Sequence, residues 1–159
     1  MFQPSRLLSS LHEHDVECIV VGMGAAVVQG VPASTLDLDV VHRRTQDNVR
    51  RLLACLTQWD ARFRGDPRKL VPNESHLMGP GQILLSTRYG DIDLLGTVGP
   101  EDAPLDYDAL VPRSRVLDFE TFSARVLELS AIIELKRQAA RPKDLAMIPI
   151  LESTLKRLG

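Results

Sequence analysis

The stretch Gly22-Met23-Gly24, followed by Ser34-Thr35-Leu36-Asp37-Leu38-Asp39-Val40-Val41, decides how this chain is read. The alternation of acidic and apolar residues from Leu36 to Val41 is strand periodicity. It sets Asp37 and Asp39 on one face and turns Leu36, Leu38 and Val40 toward a core. Residues two apart on a strand lie roughly 6.6 Å apart at ~3.3 Å per residue, so one or two metal ions can bridge such a pair. Unneutralised, two parallel carboxylates repel by about 4 kcal/mol at ~4 Å and an effective dielectric of ~20. Hard oxygen ligands of this kind select magnesium or manganese over zinc.

Upstream, Val16 to Val21 is a β-branched run that reads as a buried strand, and Met23 to Gln29 as a short helix closed by Gly30 and Pro32. Gly22-x-Gly24 stands where strand feeds helix, so backbone N–H groups there could meet phosphate oxygens. The spacing fits equally a simple turn that needs glycine for its backbone angles. It is not a dinucleotide fingerprint, because Val27 takes the third glycine's place, and the chain has no Walker Gly-Lys-Ser/Thr.

Further out, Leu7, Leu8 and Leu11 predict a helix over 4–14, and Val49, Leu52, Leu53 and Leu56 one over 47–56. The Pro-, Gly- and charge-rich segment 64–81 reads as a loop or irregular insertion. Ile83–Thr87 and Ile92–Leu95 form a hairpin around Arg88-Tyr89-Gly90-Asp91, followed by a short helix near 106–110 and brief strands near 115–119 and 124–129. Ser130 is placed to cap a helix running to about Ala140; Pro142 opens a last helical segment, which Pro149 divides. The expected architecture is α/β, a mixed sheet covered by helices, in one domain spanning 1–159.

The hairpin contributes a second acidic pair, Asp91-Ile92-Asp93. Two-metal phosphoryl chemistry needs a third carboxylate, and Asp93, followed by two strand-forming leucines, is the better candidate than Asp91 at the turn. Lys136, Arg137, Arg141 and Lys143 gather four cations just before Asp144. They suit a triphosphate clamp, and equally a solvated helix end whose cations complement the dipole.

Together these pieces resemble the nucleotidyltransferase superfamily that includes DNA polymerase β, and most of all its small branch of abortive-infection toxins. The family pattern is a glycine turn, a helix, an Asp-x-Asp strand, a later acid and a helical Lys-x-x-Ala-x-x-Arg…Asp segment, the last matched here by Lys136, Ala139, Arg141, Lys143 and Asp144; the resemblance spans about residues 16–148. The resemblance implies that Asp37, Asp39 and Asp93 bind the metals. It also implies that Gly22 and Gly24 contact the triphosphate, that Lys136 and Lys143 stabilise its charge, and that Asp144 orients a cation or touches the nucleotide. Many members carry a serine after the first glycine where this chain has Met23-Gly24; Ser34 or Thr35 are candidate substitutes.

The composition bounds the alternatives. With 159 residues, 44% hydrophobic and 25% charged, the chain matches an ordinary globular protein. A net charge of −2 gives no global field for nucleic acid, and aromatics at 4% leave few stacking platforms. Cys18 and Cys55 lack metal or redox spacing, so two reduced thiols in a cytoplasmic protein are expected. Arg6, His12, Glu13, His14 and Asp15 interrupt any signal core, and no apolar window approaches a membrane span. The expected activity is transfer of a nucleoside monophosphate from a nucleoside triphosphate to a hydroxyl on RNA, protein or a small molecule. A toxin acting on tRNA, with an antitoxin partner, is a special case; Arg43, Arg44, Arg50 and Arg51 are its candidate tRNA contacts. The competing expectation is a degenerate module of the same fold that binds a nucleotide or a partner without chemistry.

Overall fold

The computed structural model describes residues 1–159, and its strands form one seven-stranded mixed sheet in the order β3-β4-β5-β2-β1-β7-β6. At the centre β2 (Asp37–His42) pairs antiparallel with β1 (Cys18–Val21) and parallel with β5 (Gly90–Leu95). β4 (Gln82–Thr87) joins β5 as the expected hairpin, with β3 (Arg62–Phe63) outside it. On the other side β7 (Ser123–Leu127) lies parallel to β1 and carries β6 (Ser114–Asp118).

The register sorts side chains into two faces. Leu38, Ile92, Leu85 and Phe63 lie side by side across four strands, and the first three are buried. Helices cover this face. Gly24 of α2 (Gly22–Val28) packs on Leu38 and Val20. His42, on the Leu38 face, donates from Nε2 to the carbonyl of Leu77 in α4 (Glu74–Met78) at 2.7 Å. The ring of His76 in α4 meets Phe63 edge to face. Packed against α4 is α3 (Gln46–Gln58), whose Thr45 cap accepts from the Asn48 N–H; α1 (Pro4–Glu13) adjoins it, with Ser10 accepting from the Trp59 indole. The opposite face presents Asp37, Asp39, Asp91 and Asp93, and is open over its β3–β4 half, where Leu84 is exposed.

Several local expectations are corrected. Leu36 lies outside the strand and is 84% exposed, because Thr35 Oγ1 bonds the Asp37 carbonyl and pairing begins only at Asp37. The 64–81 segment contains α4, opened by a reciprocal capping box between Asn73 and His76. Ser130 caps nothing: α6 (Leu129–Ala139) starts a residue earlier with Glu128 as its N-cap, and Ser130 is exposed. Pro149 does not divide the last helix. α7 (Pro142–Leu158) runs through it, held by packing on α6 and by fully buried Leu151, which outweigh one missing N–H. A short α5 (Tyr107–Leu110), capped by Asp106, and a 3₁₀ turn (Val111–Arg113) lead into β6. No helix is long and apolar enough to cross a membrane.

Candidate active site

Parallel pairing of β2 with β5 sets Asp39 beside Asp93 and Asp37 beside Asp91. One carboxylate oxygen from each of Asp37, Asp39 and Asp93 lies within 4.8 Å of the other two. Burial, followed by the charges of Asp37 and Asp93, pushes the Asp39 carboxyl up to about 7. Asp37 is raised by the same two effects, burial first and then Asp93. Asp39 Oδ1 is buried without any hydrogen-bond partner. An orphaned oxygen inside a ring of carboxylates is what a hard cation would satisfy, so the donor set fits magnesium or manganese.

Gly22 explains how Asp39 comes so close to the backbone. Its φ is +64°, and a Cβ there would lie 2.7 Å from Asp39 Oδ2. Glycine is required twice over, by angle and by space. Thr35 Oγ1, 3.4 Å from Asp37 Oδ1, steadies the other acid of the strand. Ser34 is exposed and makes no side-chain bond. Gly24 faces Leu38 and Val20 rather than the acids, at ordinary contact distances of 3.5 and 3.7 Å.

Next to Asp39 and Gly22 opens a cleft of about 350 Å³ between the acidic face and α6. Val98, Pro100 and Leu135 form its apolar wall, and Lys136, Arg141 and Asp144 its charged end. Asp144 is 2% exposed and holds both cations: Arg141 Nε donates to Oδ2 at 2.6 Å, and Lys136 Nζ lies 3.6 Å from Oδ1. The hydrogen bond from Arg141 chiefly keeps its carboxyl below the usual range. Of the other two cations in the cluster, Arg137 is paired with Glu152, and Lys143 is exposed and outside the cleft.

One residue beside the acids escaped the sequence. Arg64, just beyond β3, donates from Nη2 to Asp93 Oδ1 at 2.8 Å, and its Nε lies 3.3 Å from Asp91 Oδ2. Nothing in a Pro- and Gly-rich segment marks it; only the β3–β4–β5 pairing does. The candidate tRNA arginines are otherwise engaged: Arg43 and Arg51 with Glu17, Arg50 with Glu74, and Arg44 near the Met78 carbonyl.

No family model and no curated protein matches the sequence. Solved structures do match. The antibiotic-resistance factor ANT(2'')-Ia superposes with a TM-score of 0.61 at 14% identity, over 98% of this chain and 82% of its own. Lincosamide antibiotic adenylyltransferase LnuA, bound to lincomycin, gives 0.60 at 12% identity over 95% of each chain. A Thermotoga maritima protein described as a nucleotidyltransferase gives 0.53 at 16%, over 99% of this chain and 95% of that one. At such identities the likeness speaks for architecture, and the architecture is plain: this chain has the nucleotidyltransferase fold.

Proposed function

We propose that the protein transfers a nucleoside monophosphate from a nucleoside triphosphate to a hydroxyl acceptor, with Asp37, Asp39 and Asp93 holding magnesium or manganese. The convergence of three carboxylates on one point, with Asp39 Oδ1 left unsatisfied, carries this reading. When bound, the metal would supply charge neutralisation for the triphosphate. The chain supplies the rest. Lys136 and Arg141 offer positive charge to phosphate oxygens along the cleft, and Asp144 fixes both. The wall of Val98, Pro100 and Leu135 gives a base an apolar surface and excludes water. Gly22 lines the cleft and lets Asp39 approach the backbone there, whereas Gly24, Ser34 and Lys143 stand outside this arrangement. In-line transfer then depends on positioning and electrostatics. The neighbours that modify antibiotics favour a small-molecule acceptor; a toxin role with tRNA and an antitoxin has no comparable support.

One observation favours the second reading, a degenerate nucleotide-binding module: no serine or threonine hydroxyl lines the cleft. Two measurements separate the readings. Calorimetric titration with Mg-ATP is expected to show binding that weakens at least tenfold, about 1.4 kcal/mol, in Asp39→Ala. Unchanged affinity in that variant overturns the assignment. Label transferred from an NTP to an acceptor, and lost in Asp37→Ala, selects enzyme over binding module.

A further inference from the structure

The acidic face of the sheet does not end at its carboxylates. Across four strands the register sets Asp37 beside Asp91, Asp91 opposite Ser86, and Ser86 opposite Arg62. Directly opposed residues share a face, so one row passes from two carboxylates through a hydroxyl to a guanidinium. Arg64 crosses between these regions. Its backbone N–H bonds Leu84, while its side chain reaches back to Asp93 and Asp91.

Beyond Arg64 lies a groove of about 600 Å³, separate from the nucleotide cleft. Its lining includes Arg62, Arg64, Lys69, Arg88, Ser86 and Thr87. Its two acids are already engaged, Asp60 by Arg62 at 2.9 Å and Asp66 by Arg68. Lys69 and Arg88 are exposed and form no ion pair. In a chain of net charge −2, this is a local excess of positive charge with the Ser86 hydroxyl beside it; the Thr87 hydroxyl already donates to the Gly90 carbonyl.

The position matters as much as the charge. In-line displacement brings the attacking hydroxyl to the α-phosphorus from the side opposite the leaving pyrophosphate. The cleft meets the acid cluster at Asp39 and Gly22, and the groove meets it from the other end through Arg64 and Asp93.

We infer that this groove is the acceptor subsite and that the acceptor carries a phosphate group near its reacting hydroxyl, an inference that rests on the transferase reading above. In the transfer, the acceptor oxygen forms a bond to the α-phosphorus, the bond from that phosphorus to the bridging oxygen breaks, and pyrophosphate leaves. The hydroxyl proton passes to water. Lys69 and Arg88 hold the acceptor phosphate, and Arg64 keeps Asp93 facing the acid cluster. The chemistry contrasts with that of a cationic antibiotic, which this groove repels.

The test follows the backbone amides of Gly65, Thr87 and Arg88 by NMR in the full chain. Inorganic phosphate and ribose 5-phosphate should shift these amides, and Lys69→Glu/Arg88→Glu should weaken both at least tenfold while Mn-ATP binding persists. Ribose 5-phosphate should bind at least tenfold more tightly than ribose. A short single-stranded RNA binding more tightly than ribose 5-phosphate assigns the phosphate to nucleic acid; the reverse order assigns it to a small molecule. Amides that do not move in the wild type, an undiminished affinity in the double variant, or equal binding of ribose or tobramycin overturns the inference. Phosphate binding at the groove in a wild type that binds no Mn-ATP would sink the acceptor role and the transferase reading together. Mn-ATP binding with a silent groove would remove this inference alone.

Discussion

Asp39 shows how one side chain is held at the expense of stability. Without metal, its carboxyl is pushed up to about 7 by burial and by two neighbouring acids. Asp39→Asn removes that repulsion, so in chelator the variant should unfold at higher denaturant than the parent, by about 1–2 kcal/mol. Under the proposed metal role, added magnesium should stabilise the parent and leave the variant unchanged. Urea titrations with and without Mg²⁺ check both halves. Gly22→Ala should act in the opposite sense. Its left-handed φ of +64° costs a Cβ-bearing residue about 1–2 kcal/mol, and the new methyl would displace the Asp39 carboxylate 2.7 Å away. Reduced stability together with weaker Mn²⁺ binding is expected; a variant with parental metal affinity would show that Asp39 has another place to go. Asp37 and Asp39 were legible as a pair because strand alternation alone puts them on one face. Arg64 was not, since its partners lie on a strand that no local pattern links to it.

At the scale of elements, the joint between α3 and the sheet rests on Asn48. Its side chain accepts from the Glu17 N–H at 2.7 Å and donates to the carbonyls of Glu17 and Arg43. It thereby ties the chain before β1 to the chain after β2. Asn48→Leu strips its partner from the Glu17 N–H and the Arg43 carbonyl, while the Glu17 carbonyl keeps the Arg43 N–H, and should cost about 2–4 kcal/mol, read from denaturant midpoints. α7 poses the opposite case. Pro149 lies within the helix, so Pro149→Ala should raise stability by about 1–3 kcal/mol if the backbone at Leu145 can accept the restored hydrogen bond. The hairpin and the strand–glycine–helix order could be read from periodicity and turn residues. Pro149 misled because packing against α6 overrides local propensity, and Ser130 because a cap is defined by backbone angles that an offset of two residues abolishes.

The pH response of the whole molecule has contributions from both faces of the sheet, and that of the covered face comes from His42. Burial lowers the His42 pKa in the folded state, and its Nε2 is bonded to Leu77. The unfolded chain takes up a proton near pH 6.5 that the folded one resists, so this stability is present above ~6.5 and is lost as pH falls toward the folded value. Between pH 7.5 and 5.5 the parent should therefore lose stability relative to His42→Gln, a difference that stands apart from the opposing proton uptake at Asp39 that both proteins share. The parallel pairing of β2 with β5 has a consequence in time. Asp39 and Asp93 are distant in sequence and adjacent in space, and no hairpin can bring them together. During synthesis the polypeptide has no cation trap until the second of these strands has emerged and docked. Under the proposed metal role, early folding proceeds blind to the ion, which should slow unfolding far more than it hastens assembly.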